Sequence, residues 1–282
     1  MRLAWATDIH LDFITNPDDI AGSAKNLDIF CSLFKDNPEA LILSGDISLA
    51  DSLKNHLLAL ESRLQIPIYF VLGNHDFWGG GFDKTRRNMS DLMNSSAYLK
   101  YLSAIPYVPL TSNIAMIGHD GWYDGFNGEP KASGFLMNDW LRIADFTMAG
   151  SVTFYSNTQK VNVENILAVS RRQASAAAQH VARGIKSAIS QIKPKKIVVV
   201  THVPPFVHPL AFKENLYPWY SSKIMGEMLI SAAAANPKIE FEVFCGHVHS
   251  AYEGRITSNI FLRSGKSEYS EPVSQGTFDI SY

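Results

Sequence analysis

The chain has 282 residues, 46% of them apolar and 18% charged, with a formal net charge of −2. That length holds one large α/β domain or two small ones, and the composition sustains a sizeable core and argues against disorder. No basic excess marks a general nucleic-acid or membrane-surface binder, no apolar stretch nears the ~18 residues of a membrane span, and two cysteines, Cys31 and Cys245, make no disulfide framework. They read as buried thiols. Residues 1–7 run straight into the first motif and are too short for a secretory leader, so a cytoplasmic address is expected.

Taken in chain order, Leu3–Ala6 reads as a strand and is followed by Asp8-Ile9-His10. Ala40–Leu43 reads the same way and is followed by Gly45-Asp46. Residues Ser52–Leu64 place Leu53, Leu57, Leu60 and Leu64 on one stripe and predict a helix, with Asp51 or Ser52 as its cap. The run Ile66–Leu72 precedes Gly73-Asn74-His75-Asp76. In Phe77–Arg87 a glycine run lacks the Gly-Lys-Ser/Thr ending of a P-loop, which excludes that type of nucleotide binding. Its Lys84, Arg86 and Arg87 are open to two readings, a clamp for a substrate phosphate or the solvated start of a helix. After the strand Ile114–Ile117, the stretch Gly118–Glu164 is rich in Gly, Asn, Asp and aromatics with poor periodicity, and is expected to be an elaborated loop or lid. Ser170–Ile192 predicts a helix with Val181, Ile185, Ile189 and Ile192 on one face, stopped by Pro194. The strand Ile197–Val200 leads to Thr201-His202-Val203. A helix over Ser221–Ala235 ends before Pro237. The strand Phe241–Phe244 leads to Gly246-His247-Val248-His249, and Ile260–Arg263 is the last strand. Continuous apolar strands alternating with helices predict an α/β fold with sheets covered on both faces. Motif residues come from both ends of the chain, so a single domain over residues 1–282 is expected, with the lid at about 118–164.

Five motifs thus follow five strands. Together they supply three carboxylates, one amide and five imidazoles. In open α/β sheets ligands bind beyond the carboxyl ends of strands, where these pieces converge. Asp and His are natural ligands for first-row divalent metals. The set approaches the needs of two adjacent metal ions plus a His-Asp pair to move a proton, the usual apparatus of in-line displacement at phosphorus. Each motif alone has a bland reading: Asp-X-His is a common loop feature, Gly-Asp is usually a turn, and His202 could be a core imidazole. Five of them at five strand ends in one chain are a different matter. Asp46, alone after its glycine, is the best candidate for a carboxylate shared by two cations.

The order Asp8-X-His10, Gly45-Asp46, Gly73-Asn74-His75-Asp76, His202, Gly246-His247-X-His249 resembles the calcineurin-like metallophosphoesterase superfamily, over residues 3 to about 265. The resemblance implies a four-layer α/β/β/α sandwich with a dinuclear centre of divalent ions, of manganese, iron or zinc type. It implies that Asp8, His10 and His249 hold one metal, that Asn74, His202 and His247 hold the other, and that Asp46 bridges. It also implies that His75 is a proton donor oriented by Asp76. The reaction expected is hydrolysis of a small phosphate mono- or diester by metal-activated hydroxide. Two other functions stay open: a non-catalytic protein-binding scaffold, which would be expected to lose such ligands, and a nuclease, which the acidic balance argues against.

Four histidines remain. His56 and His180 lie on helical patterns and read as surface or packing residues, whereas His119 and His208 follow strands and could line the pocket. Aromatics are dense in the irregular loops, and half of them could simply pack the lid. Trp122 and Tyr123 fall just beyond the Ile114–Ile117 strand and are expected to stack on the organic part of a substrate, with Arg86 as a further substrate contact.

Overall fold

The computed structural model describes residues 1–16, 18–34, 37–155, 158–207 and 214–280. Its strands are β1 (Arg2–Ala6), β2 (Ala40–Ser44), β3 (Ile68–Val71), β4 (Leu99–Tyr101), β5 (Val108–Thr111), β6 (Ile114–His119), β7 (Val152–Tyr155), β8 (Thr158–Val161), β9 (Lys196–Thr201), β10 (Glu240–Cys245), β11 (Tyr252–Thr257), β12 (Ile260–Ser264) and β13 (Ser274–Asp279). The α-helices are α1 (Ile20–Cys31), α2 (Leu53–Leu64), α3 (Phe82–Ser95), α4 (Asp139–Arg142), α5 (Ala144–Met148), α6 (Val163–Ile192), α7 (Tyr217–Tyr220) and α8 (Lys223–Ala235).

Two mixed sheets face each other. One has the order β13-β1-β2-β3-β4 and the other β11-β12-β10-β9-β6-β5. Inner strands run parallel, and β13, β11 and β5 join the edges antiparallel. Strand alternation sorts the side chains into layers. Leu3 and Trp5 of β1 point between the sheets with Ile42, Val71, Met116, Val198 and Phe244, whereas Ala4 and Ala6 point outward to Leu27, Leu53, Leu57 and Leu60. The outer face of the second sheet is covered by Ala177, Val181 and Ile185 of α6 and Leu229 of α8. Four layers follow, helices, sheet, sheet, helices, because strands apolar on both faces must be covered on both.

All seven predicted strands form, with ends shifted by one or two residues. The helix predicted over Ser170–Ile192 begins earlier, at Val163, because Asn162 caps it by accepting from the Asn165 amide at 3.2 Å. Ser52 does occupy the N-cap position of α2, but its hydroxyl donates to Asp12 instead of accepting from the helix. The segment 118–164 is not an irregular lid throughout. It contains the end of β6, α4, α5 and the β7–β8 hairpin, and its Trp122, Tyr123, Trp140, Ile143 and Phe146 lie in the core. Aromatic density there marks packing. Among the described residues no helix is long and apolar enough to cross a membrane.

Candidate metal centre

The five motifs leave the carboxyl ends of β1, β2, β3, β9 and β10, the parallel strands in the middle of each sheet. The chain must turn sharply there while keeping donors aimed at one point. Asp8, His10, Asp46, His247 and His249 all adopt left-handed backbone, with φ of 49°, 41°, 50°, 69° and 51°. Such conformations are uncommon outside glycine and persist where the surroundings fix them. Here the loops after β1 and β2 are zipped together: the amides of Asp8, His10 and Leu11 donate to the carbonyls of Gly45, Asp46 and Ile47. Gly45, at φ +92°, lies so close to His202 that a Cβ would sit 2.5 Å from its Nδ1, and a Cβ on Gly246 would strike Thr7 and Asp8.

Donor atoms gather in two groups that share Asp46. In the first, one ligand atom from each of Asp8, His10, Asp46 and His249 lies within 4.8 Å of the others. His249 Nε2 is 3.3 Å from Asp8 Oδ1 and 3.3 Å from His10 Nε2. In the second, His202 Nε2 is 3.3 Å from Asp46 Oδ1 and 3.1 Å from Asn74 Oδ1, and His247 Nδ1 is 2.9 Å from Asn74 Oδ1. The other oxygen of Asp46, Oδ2, faces His10 at 3.9 Å.

The chemistry of these contacts fits cations. His202 spends Nδ1–H on the Ser44 carbonyl at 2.9 Å, and His247 spends Nε2–H on the Trp219 carbonyl at 3.2 Å. The other ring nitrogens, His202 Nε2 and His247 Nδ1, both face the oxygen of Asn74, and His10 and His249 turn nitrogens toward each other. Lone pair against lone pair is repulsive unless a positive charge sits between. Protons show the same demand. Burial disfavours a charged His202, yet the Asp46 carboxylate overrides it and raises the ring to about 10. Burial also opposes ionisation of Asp46, but His202 and His75 hold its carboxyl well below the usual range. His247 has burial and the charge of His202 against it and falls to about 3.

The donors open into a cleft of about 210 Å³ lined by His75, Trp78, Phe135, Leu136, Met137, Asn138, Tyr220 and Tyr269. His75 is 7% exposed; its ring stacks on Trp78 at 3.5 Å, and its Nε2 is 3.9 Å from Asp46 Oδ2. Burial lowers it to about 4. Its Nδ1 makes no hydrogen bond in the described structure. Asp76 therefore does not orient the ring as expected. Its carboxylate accepts from the amides of Ile47, Ser48 and Gly73 at 2.7–2.9 Å and knots the loops after β2 and β3 together. Orientation of His75 falls to Trp78.

The expected substrate contacts are elsewhere. Trp122 is 1% exposed, packed edge-on against Phe82 at 4.8 Å and away from the cleft. Tyr123 is fully buried, its hydroxyl donating to Asp139 and its ring parallel to that of His247. Arg86 is no phosphate clamp: its guanidinium donates to Asp120 at 2.8 Å and Gln173 at 2.7 Å over the rings of Phe77 and Phe82. A buried carboxylate has captured it. Lys84 and Arg87 are exposed on α3, the solvated-helix reading. His119 is buried at the end of β6, accepts from the Gly121 amide and neighbours His180, outside the cleft. His208 lies outside the described residues. His56 is half-buried and bonded to Ser48 and Thr15. Cys245 is buried and Cys31 partly so; burial raises their thiols to about 12 and about 11.

Sequence reasoning missed Asp139 and Tyr269, and placed Trp78 and Trp219 only among the aromatics of the irregular loops. Asp139 is buried, and burial raises its carboxyl to about 6; its Oδ1 accepts from Asn74 Nδ2 at 2.9 Å and Trp78 Nε1 at 2.8 Å. The one signal was Asn138-Asp139 set between two apolar stretches, Phe135–Met137 and Trp140-Leu141. Tyr269, 49% exposed, lies over His10 at 4.6 Å and meets Phe13 at a tilt at 5.1 Å. Nothing in its local sequence marks it.

Comparison with known proteins gives a family and a fold. Residues 1–251 match calcineurin-like phosphoesterase. No curated protein matches the chain. Among solved structures it is similar to the phosphopantetheinyl hydrolase of Mycobacterium tuberculosis, with a TM-score of 0.63 and 14% identity over 95% of this chain and 89% of that one. It is also similar to a dimetal phosphatase of Danio rerio, with a TM-score of 0.55 and 14% identity over 98% of this chain and 91% of the other.

Proposed function

As the chain belongs to the calcineurin-like phosphoesterase family, we propose that it hydrolyses a small phosphate mono- or diester at a centre of two divalent ions. One observation carries this reading: Asp46 presents Oδ1 to His202 and Oδ2 to His10, so one carboxylate belongs to two donor groups at the floor of one cleft. Asp8, His10 and His249 would hold the first ion, Asn74, His202 and His247 the second, with Asp46 between. Bound there, two such ions supply Lewis acidity, lowering the pKa of water and offsetting charge on a phosphoryl group.

The chain's own groups do the rest. Asn74 adds an oxygen without adding negative charge, so Asp8 and Asp46 are the only anionic donors and two dications would keep a net positive charge toward a phosphate. His75 stands over Asp46 with its plane fixed by Trp78. Burial lowers the ring to about 4, which leaves it neutral at neutral pH before a substrate binds. The negative charge of an arriving phosphate favours its protonation, after which it donates to the departing oxygen. Tyr269, Phe135 and Tyr220 wall the cleft with rings and narrow the access of water.

The test is a metal-stripped and metal-reloaded preparation assayed against aryl phosphate monoesters, aryl diesters, cyclic nucleotides, nucleotides and single-stranded DNA. Reloading with Mn²⁺ should bring about two ions per chain and restore hydrolysis that chelation abolished. A fully loaded chain holding one ion, or turnover indifferent to chelator, overturns the reading. Preference for single-stranded DNA would replace it with a nuclease.

A further inference from the structure

Asn74 differs from every other donor in the centre. A carboxylate presents acceptor atoms whichever way it turns, and the two neighbouring imidazoles are fixed by their bonds to the Ser44 and Trp219 carbonyls, whereas an amide presents an oxygen one way round and an NH2 group the other. A ligand role for Asn74 needs its oxygen held inward, and the local chain does not do this. The hold comes from 65 residues away. Asp139, at the start of α4, is buried and places Oδ1 2.9 Å from Asn74 Nδ2. The same oxygen accepts from Trp78 Nε1 at 2.8 Å, and Oδ2 accepts from the Tyr123 hydroxyl at 3.2 Å. A carboxylate so engaged only accepts, so Asn74 must turn its NH2 toward Asp139 and its oxygen toward His202 and His247.

The buttress continues to the next donor. Tyr123 accepts from Trp140 Nε1 at 3.1 Å, Trp140 packs edge-on against Trp219 at 5.0 Å, and the Trp219 carbonyl receives His247 Nε2. On its other side Asp139 adjoins the cleft wall Phe135–Asn138, whose Met137 and Asn138 carbonyls accept from the Trp140 and Leu141 amides.

We propose that Asp139 is the positioning residue for Asn74, and that through it filling of the second metal position is coupled to the cleft wall at residues 135–138. The inference rests on the two-ion reading above. It assigns the segment 118–164 a role that neither packing nor substrate contact describes: part of the cleft wall is braced by the same carboxylate that aims a ligand.

Titration of the full chain with Mn²⁺, followed by elemental analysis and by the electron paramagnetic resonance signature of a coupled ion pair, tests it. Asp139→Ala should weaken the second ion by about 10–100-fold and lose the coupled signature, with the first ion held as in the parent. Asp139→Asn keeps an acceptor oxygen toward Asn74 and should retain most of the affinity. In the parent, the second ion should slow amide hydrogen exchange at residues 135–138, and in Asp139→Ala it should not. Parental second-ion affinity in Asp139→Ala overturns the proposal. So does an equal loss in Asp139→Asn, or exchange at residues 135–138 that ignores the second ion. A parent chain that never takes a second ion overturns the two-ion reading, and the proposal with it.

Discussion

The two donor groups flanking Asp46 are built by different means. The first, Asp8, His10 and His249, is aimed by the backbone: each of the three sits in a left-handed turn just past a strand, and the amides of Asp8 and His10 are pinned to the loop after β2. The second, Asn74, His202 and His247, is aimed largely from behind. The far nitrogens of its rings are tied to the Ser44 and Trp219 carbonyls, and its amide is held by Asp139. His247 uses both devices. One kind of ligand geometry is thus written into short motifs, and the other depends on side chains that arrive from distant parts of the chain.

Asp46 belongs to both groups, so its substitution should have the largest effect. Asp46→Asn should release at least one ion and cost more than the ~10²-fold typical of supporting residues, read as turnover beside metal content. A variant that keeps two ions and parental turnover would mean that the groups do not share a carboxylate.

His75 lies outside both groups. His75→Asn should keep the metal content and lower turnover by roughly 10²–10⁴, with a smaller loss on good leaving groups that need little protonation. Loss of metal would move His75 into the first group. An equal loss on all leaving groups would make it a stabiliser of the phosphoryl charge instead of an acid.

The smallest catalytic effect is expected at Trp122, which packs behind the centre. Trp122→Ala should destabilise the fold by about 3–5 kcal/mol, as truncation of a buried ring does. It should leave the ratio of aryl to alkyl ester turnover unchanged. A selective rise in KM for aryl esters would bring Trp122 back to the cleft. Thermal melting and paired kinetics decide between the two.

The same contrast explains what could be read from the chain beforehand. The continuous runs of β1, β2, β9 and β10 stand out because strands covered on both faces need them, and Gly45-Asp46 or Gly246-His247 stand out because close backbone approach needs glycine. By contrast β13, Ser-Gln-Gly-Thr-Phe-Asp, has almost no apolar character and is a strand only because β1 offers it an edge. Asp139 shows no periodicity or spacing, since its partners lie 16, 61 and 65 residues away. Trp122 and Arg86 misled for one reason: an aromatic or a cation near a strand end looks available to substrate until the structure shows Phe82 and Asp120 already occupying it.

Asp120 has a mechanical consequence of its own. Its carboxylate accepts from the Leu72 amide just before the Asn74 loop, and from Tyr101, Ser103 and Arg86. Its carbonyl accepts from the His202 amide. Leu72 follows a strand of one sheet and His202 follows a strand of the other, so one buried residue rivets the two banks of the cleft. Splaying them apart would break hydrogen bonds to an ion, each worth roughly 1.5–3 kcal/mol. Those bonds resist opening of the cleft at its centre. The rim is less enclosed: Tyr269 and Phe135 there are 49% and 39% exposed.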